Sequence, residues 1–446
     1  MINNISGFPE LLPNEQIAFD KVVNITKAVF ESYGFTPLET SAVERVDTLL
    51  SKGGDHEIYG LYRLADKEGK SKKELALRFD LTVPLSRYIG QNFGHLTFPY
   101  RRYQIAPVWR GERPQTGRYR QFYQCDIDII GHEVLDLAYD AEILKVAYDA
   151  LKAIGLKNFV ININNCNLLL GIMNVVGVPQ QTRAYVTRII DKIKKIPYAT
   201  FVDELLIRGL SKEQIEQLRG MILEARSNKE CISYFKQFAH DEVLKKGLEE
   251  LQEVLDTAYS FGLPQNVICI TPSIARGLNY YTGTIYETIS LDHLELGSIC
   301  GGGRYANLVS TFGNKTCPGV GVSIGLSRLV LELINKGAIT SNTQTTAVVL
   351  VTVQNRQLLN DYIRITECLR AAGINTELYL SNNSLGAQMK YAAKKSIPFV
   401  VIADKAELES NMAILRRMET GGQQTLHIEE LAGACSGHGN PIVTQL

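Results

Sequence analysis

The 446-residue sequence carries no net charge, with 47 lysines and arginines against 47 aspartates and glutamates. That balance argues against a broadly basic, histone-like nucleic-acid binder, although it leaves room for a local basic patch. Long apolar runs are missing too. The longest are of the kind Ala347-Val348-Val349-Leu350-Val351, far short of the ~20 residues a membrane-spanning helix needs. The N-terminus, Met1-Ile2-Asn3-Asn4-Ile5-Ser6-Gly7-Phe8, lacks the basic start and apolar stretch of a secretory signal. The eight cysteines (125, 166, 231, 269, 300, 317, 368, 435) are mutually distant and form no CxxC pair. This spacing supports neither a zinc knuckle nor a thioredoxin-like site, and a disulfide scaffold is not expected at this length. The seven histidines (56, 95, 132, 240, 293, 427, 438) show no HExxH spacing, and no Ser/His/Asp elbow occurs. Neither a protein-bound metal nor a covalent nucleophile is therefore expected. Internal repeats and low-complexity tracts are also absent. We expect a reducing, cytoplasmic location without membrane contact.

What remains is ordinary globular material, 45% hydrophobic and 21% charged, long enough for roughly three domains of ~150 residues. Ile17, Val22, Ile25 and Val29 stand at helical spacing within residues 14–33, and Gly34 is a plausible stop. Tyr100–Arg110 and Arg120–Ile130 read as two strands of an antiparallel hairpin with a long polar tip. A helix through Leu137, Ala141, Leu144, Tyr148 and Leu151 follows, stopped by Gly155. Residues 166–262 are helix-rich, charged and free of chemistry-bearing motifs. Strand signals and glycines return at 267–325, before the apolar segment Leu326–Ile334 and a polar break at 341–345. Beyond it, strand and helix alternate: strand Ala347–Val353, helix 355–372, strand Thr376–Leu380, helix 384–395, strand Phe399–Ala403. Such alternation predicts a small parallel or mixed α/β sheet.

The hairpin is the most informative stretch. Six arginines (101, 102, 110, 113, 118, 120) lie between positions 101 and 120, with Glu112 as the only acid. An arginine's planar fork suits bidentate capture of phosphate or carboxylate, but a solvated loop tied to its neighbours reads equally well. On the return strand, Gln124, Asp126 and Asp128 face one way and Cys125, Ile127 and Ile129 the other. That pattern fits the floor of a polar cleft, able to seat a small zwitterion beside a polyphosphate, or else an outer strand facing water. In Leu77-Arg78-Phe79-Asp80-Leu81-Thr82-Val83-Pro84, Pro84 suits the first turn of a helix, which Asp80 or Thr82 could cap. The same carboxylate and hydroxyl could instead hold an amino group. Ala275–Gly283 sets an arginine and two tyrosines between glycines, and Gly301-Gly302-Gly303 precede Arg304. The run Gly319–Gly325 leads into a helix carrying Arg328. Its spacing matches neither GxGxxG nor GxxxxGK[ST], and tight packing explains these glycines as well as phosphate binding does.

Together these segments resemble the histidyl-tRNA synthetase family of class II aminoacyl-tRNA synthetases. Phe98–Gly131 resembles motif 2, through Val108-Trp109-Arg110-Gly111-Glu112-Arg113-Pro114-Gln115 and Gly117-Arg118-Tyr119-Arg120-Gln121-Phe122. Ala275–Gly283 is similar to the histidine-specific signature RGLDYY, Gly301–Tyr305 to the signature GGGRYD, and Gly319–Leu329 to motif 3. The resemblance implies an α+β fold: a class II synthetase-like antiparallel-sheet catalytic domain (1–165 and 263–335), a helical insertion (166–262) and an α/β anticodon-binding domain (345–446). It implies that Asp80, Thr82 and Gln124 hold the α-amino group of histidine, while Asp128 and Tyr281 read the imidazole with Tyr280 lining the pocket. Arg110 and Arg276 would meet the α-phosphate of ATP as catalytic cations, Arg276 also meeting the histidine carboxylate, and Arg328 the γ-phosphate. Mg²⁺ accompanies ATP, tRNA(His) is the acceptor, and a homodimer is implied.

Four positions depart from the family pattern. Ser41 stands for the motif 1 proline, Asn279 for the Asp of RGLDYY, Ala306 for the Asp of GGGRYD, and Ser327 for the Glu before the motif 3 arginine. An alternative within the same lineage is a non-catalytic regulatory subunit of ATP phosphoribosyltransferase. Such paralogues typically lack the anticodon domain and have eroded signature residues, whereas residues 345–446 and the assigned arginines and tyrosines are present in this sequence.

Overall fold

In the computed structural model, the residues described are 4–51, 58–64, 74–115, 117–193, 196–275, 281–306, 309, 312–313, 315–339 and 343–436. The chain divides into two compact units, one of residues 1–9 and 23–332, the other of residues 10–22 and 333–446.

In the first unit, β1 (Thr36–Pro37) precedes a three-stranded sheet of β2 (Val43–Arg45), β3 (Gly60–Leu61) and β4 (Leu75–Leu77). The expected hairpin is β5 (Tyr100–Trp109) and β6 (Gln121–Ile130), paired antiparallel along its whole length. The strands β7 (Phe159–Asn165), β8 (Ile268–Ile270), β9 (Thr284–Ser290), β10 (Ser298–Tyr305) and β11 (Gly319–Ile324) complete an eight-stranded sheet in the order β1-β5-β6-β11-β10-β9-β7-β8. The segment Gly319–Ile324, read from sequence as glycines opening a helix, is thus a central strand, and the helix begins only at Leu326.

β6 lies between β5 and β11, which rules out the outer-strand reading of Gln124, Asp126 and Asp128. Its apolar side, Cys125, Ile127 and Ile129, is fully buried. Ile129 shares a row with Val320 and Arg304 on that back face. There Arg304 grips Asp140 of the helix Ala138–Ile154, with Nη2–Oδ2 at 2.5 Å. This helix buries Ala141, Leu144 and Leu151 and ends where predicted, at Gly155 with φ 111°. The front face carries the polar row and is left open.

Between β7 and β8, which are parallel neighbours, the chain runs through helices Cys166–Val176, Arg183–Lys192, Tyr198–Ile207, Lys212–Leu223, Asn228–Lys236 and Glu242–Ser260. Ser211 and Ser227 open two of them with full capping boxes, closed by Gln214 and Glu230.

The second unit holds β12 (Val349–Val351), β13 (Thr376–Leu378), β14 (Phe399–Ile402), β15 (Met412–Arg417) and β16 (Gln423–His427), ordered β13-β12-β14-β15-β16. The first three are parallel and the last two add on antiparallel. One apolar cluster packs Val349, Val351, Phe399 and Val401 with Tyr362 and Ile365, and a second packs Leu350 and Val400 with Ala392. Alternate residues of each central strand thus feed opposite layers, as the continuous Val/Leu/Ile runs require. No helix among the described residues is long and apolar enough to cross a membrane.

Candidate active site

The front face of the large sheet floors a cleft of about 330 Å³, lined by Asp80, Thr82, Arg110, Gln124, Asp126, Asp128, Tyr281 and Arg328. Of the residues expected to act, Asp80, Thr82, Gln124, Asp128, Tyr281, Arg110 and Arg328 therefore converge. Arg276, Tyr280 and the departure Asn279 lie outside the described residues.

The floor is built by register. Across it run two rows, Gly303–Gly321–Asp128–Arg102 and Gly301–Ser323–Asp126–Gln104. In the first, Asp128 accepts from Arg102 Nη2 at 2.6 Å and from the Tyr305 hydroxyl at 2.7 Å. Both oxygens are thereby fixed. Glycine is required beside it, because a Cβ on Gly321 would lie 2.0 Å from Asp128 Oδ1. A Cβ on Gly319 would likewise lie 2.4 Å from the Tyr305 ring. Burial pushes the Asp128 carboxyl up, and Arg102 and Tyr305 oppose that shift.

In the second row, Gln124 Nε2 donates to Ser323 Oγ at 2.7 Å. Ser323 stands directly opposite Asp126 and hydrogen-bonds its carboxyl. Burial raises Asp126 to about 7, against the pull of Arg102 and Ser323. Burial also raises Asp80 to about 6, against the Val83 amide and the charges of Arg110 and Arg102.

Asp80 spends one oxygen on the start of a helix. Its Oδ1 accepts from Val83 N–H at 3.1 Å in the first turn of the helix Thr82–Asn92, while its Oδ2 has no partner among the described residues. Gln124 Oε1 and Asp126 Oδ1 are also buried acceptors without a hydrogen bond among the described residues. Three unfilled acceptors in one cleft call for a ligand rich in N–H donors.

The rim has the opposite sign. Arg110 Nε is held by Phe79 O at 3.0 Å, and its guanidinium lies 5.0 Å from the Phe122 ring centroid. Arg328 donates to Gly117 O and Ser298 O, both at 2.7 Å. Burial, with Arg118 and Arg110 close by, lowers the Arg328 pKa, the mark of cations gathered for a polyanion.

The six arginines of 101–120 do not form one basic site. Arg101 pairs with Glu142 at 2.8 Å, Arg102 is buried against Asp128, and Arg120 binds backbone carbonyls of Glu112 and Ser6. Only Arg110 and Arg118 line the cleft. Sequence reasoning missed Arg102, Tyr305 and Ser323, whose roles depend on cross-strand register. Asp126 was visible in the polar alternation but received no role. Of the departures, Ser327 accepts from the Tyr123 amide at 2.8 Å, and Ser41 bonds the backbone of Val43.

Comparison with known proteins follows the same lines. A family model described as histidyl-tRNA synthetase matches residues 7–329, and one described as an anticodon binding domain matches residues 346–438. A histidine–tRNA ligase of Clostridium tetani is 40% identical over 427 residues, 96% of each chain. One of Stenotrophomonas maltophilia is 40% identical over 92% of each. The crystal structure of histidyl-tRNA synthetase from Nostoc sp. PCC 7120 superposes with a TM-score of 0.87 at 37% identity, covering 98% of this chain and 99% of that one.

Proposed function

The chain belongs to the histidyl-tRNA synthetase family, and from that premise we propose that the cleft activates L-histidine with ATP and transfers it to the 3′ end of tRNA(His), releasing diphosphate and AMP. The observation that carries this reading is the cleft's polarity, a floor of buried carboxylates with unfilled acceptors beneath an arginine rim. A ligand with a cationic head and an anionic tail, set beside a polyphosphate, matches it end for end.

In this reading Asp80, Thr82 and Gln124 receive the α-ammonium group. Asp128, held by Arg102 and Tyr305, accepts from an imidazole N–H, with Tyr281 beside it and Tyr280 lining the pocket. A histidine carboxylate oxygen attacks the α-phosphorus in line. The bond to the β-phosphate bridging oxygen breaks, and diphosphate leaves with the electron pair. Arg110 and Arg276 are the cations assigned to the α-phosphate, where charge accumulates on the equatorial oxygens, and Arg328 is assigned to the γ-phosphate. Mg²⁺ would enter with the ATP substrate and supply positive charge to its phosphates. A terminal ribose hydroxyl of tRNA then attacks the acyl carbon of the adenylate and expels AMP.

Residues 345–446 serve as the anticodon-binding domain in this account, and residues 166–262 as a helical insertion within a catalytic domain of 1–165 and 263–335. The protein works as a homodimer in the cytoplasm. Charging of a tRNA(His) transcript with labelled histidine tests the proposal, and Arg276→Ala is expected to abolish it. Folded wild-type protein that neither charges tRNA nor exchanges diphosphate in the presence of histidine would overturn the catalytic role in favour of a regulatory one.

A further inference from the structure

We propose that Ser323 and Asp126 are positioning residues for histidine, tethering the Gln124 amide so that its carbonyl oxygen, and never its NH₂, faces the α-ammonium group. The inference rests on the proposed function of the cleft and adds two residues that set the orientation of Gln124.

Donor and acceptor parity decides which end of the amide faces the cleft. An amide can present either end to a ligand, and only the oxygen end can accept from an ammonium group. Gln124 Nε2 is 2.7 Å from Ser323 Oγ, and Gln124 Oε1 is buried without a partner among the described residues. A serine hydroxyl has one proton and can donate it once. If that proton went to Gln124, the amide would turn its oxygen towards Ser323 and its NH₂ into the cleft. The proton goes elsewhere because Asp126 stands directly across the ladder from Ser323, at the separation where facing side chains meet. In its ionised form, which prevails above about pH 7, the Asp126 carboxylate only accepts, so it takes the Ser323 proton and leaves that oxygen to accept from Gln124. On the other side of Ser323 the row holds Gly301, which brings no side chain. Beyond Asp126 it holds Gln104, whose amide is engaged by Thr40 at 3.2 Å. The charged groups that face Asp126 are Arg102, Asp128 and Asp80, and Arg102 is the cation among them. Arg102 is ion-paired with Asp128 and acts on Asp126 through its charge, whereas Ser323 meets Asp126 through a side-chain hydrogen bond.

The test compares ligands that differ in the ammonium group. Dissociation constants are measured calorimetrically for L-histidine, L-histidinol and 3-(imidazol-4-yl)propanoate, the last lacking the amino group. Ser323→Ala is expected to weaken the first two by about 5- to 100-fold, the range for losing one buried hydrogen-bond partner. The propanoate should change by less than about twofold, because its binding uses no ammonium acceptor. Ser323→Thr, which keeps the hydroxyl, should restore most of the loss. In a Gln124→Ala background, Ser323→Ala should not weaken histidine further. Equal weakening of all three ligands, or full additivity with Gln124→Ala, would overturn the tether. Wild-type protein that binds no histidine at all would instead overturn the proposed function, and the tether with it. Thermal melts establish that each variant is folded.

Discussion

Asp80 and Asp126 bind protons in the folded chain over a range where an unfolded chain has released them. Their carboxyls titrate at about 6 and about 7, against 3.8 for the ordinary group. Between about pH 4 and pH 7 the native state therefore holds more protons than the unfolded state, and stability of the ligand-free protein falls as pH rises through that window. The counter-charges are few, with Arg102 and Arg110 near Asp80 and Arg102 near Asp126. Replacing Asp126 by Asn removes its share of this titration. The melting temperature of Asp126→Asn should accordingly fall less between pH 5 and pH 8, by a few degrees. A wild-type protein that gains stability with pH across this range would contradict the burial of these groups. A second prediction concerns Gly321. The methyl of Gly321→Ala collides with Asp128 Oδ1 at 2.0 Å, a strain of about 1–3 kcal/mol. KM for histidine should rise about 5- to 100-fold with KM for ATP unchanged, since the arginine rim stands apart from that row. The polar face of β6 was legible in sequence, because alternation alone puts Gln124, Asp126 and Asp128 together. Their partners were not, because Arg102, Ser323 and Tyr305 reach them through strand register, which a local pattern does not encode.

At the scale of elements, Arg304 joins β10 to the helix on the back of the sheet. It donates to Asp140 Oδ2 at 2.9 and 2.5 Å and to the carbonyls of Leu135 and Asp136 at 2.9 and 2.8 Å. Asp140 is fully buried. Arg304→Ala strands that carboxylate without its cation, and denaturant unfolding should show a loss of about 3–5 kcal/mol. A loss below ~1 kcal/mol, the value of an exposed pair, would mean that the pair does not hold helix to sheet. The hairpin β5–β6 and the helix ending at Gly155 could be read from sequence because strong periodicity coincides with a clear stop. β15 and β16 could not. β16 is an edge strand whose Gln423, Gln424 and Thr425 are all exposed, so no apolar alternation marks it.

For the whole molecule, zero net charge turned out to be a statement about distribution. Arginines line the rim of the cleft, carboxylates its floor, and acids elsewhere restore the balance. Such a chain avoids indiscriminate polyanion binding while keeping a local grip on phosphate. In the proposed division of labour, residues 345–446 select tRNA while the cleft makes adenylate. Deleting them should leave diphosphate exchange intact and severely depress tRNA charging, and equal charging by the shortened chain would contradict the anticodon role. The central claim is that this floor reads histidine. Amino-acid-dependent exchange of labelled diphosphate into ATP, run with each of the common amino acids on wild type and on Asp128→Ala, tests it most directly. The account predicts exchange with histidine alone, and its loss in Asp128→Ala while the variant still binds ATP. Comparable exchange with another amino acid, or histidine exchange that survives without the Asp128 carboxylate, would contradict it.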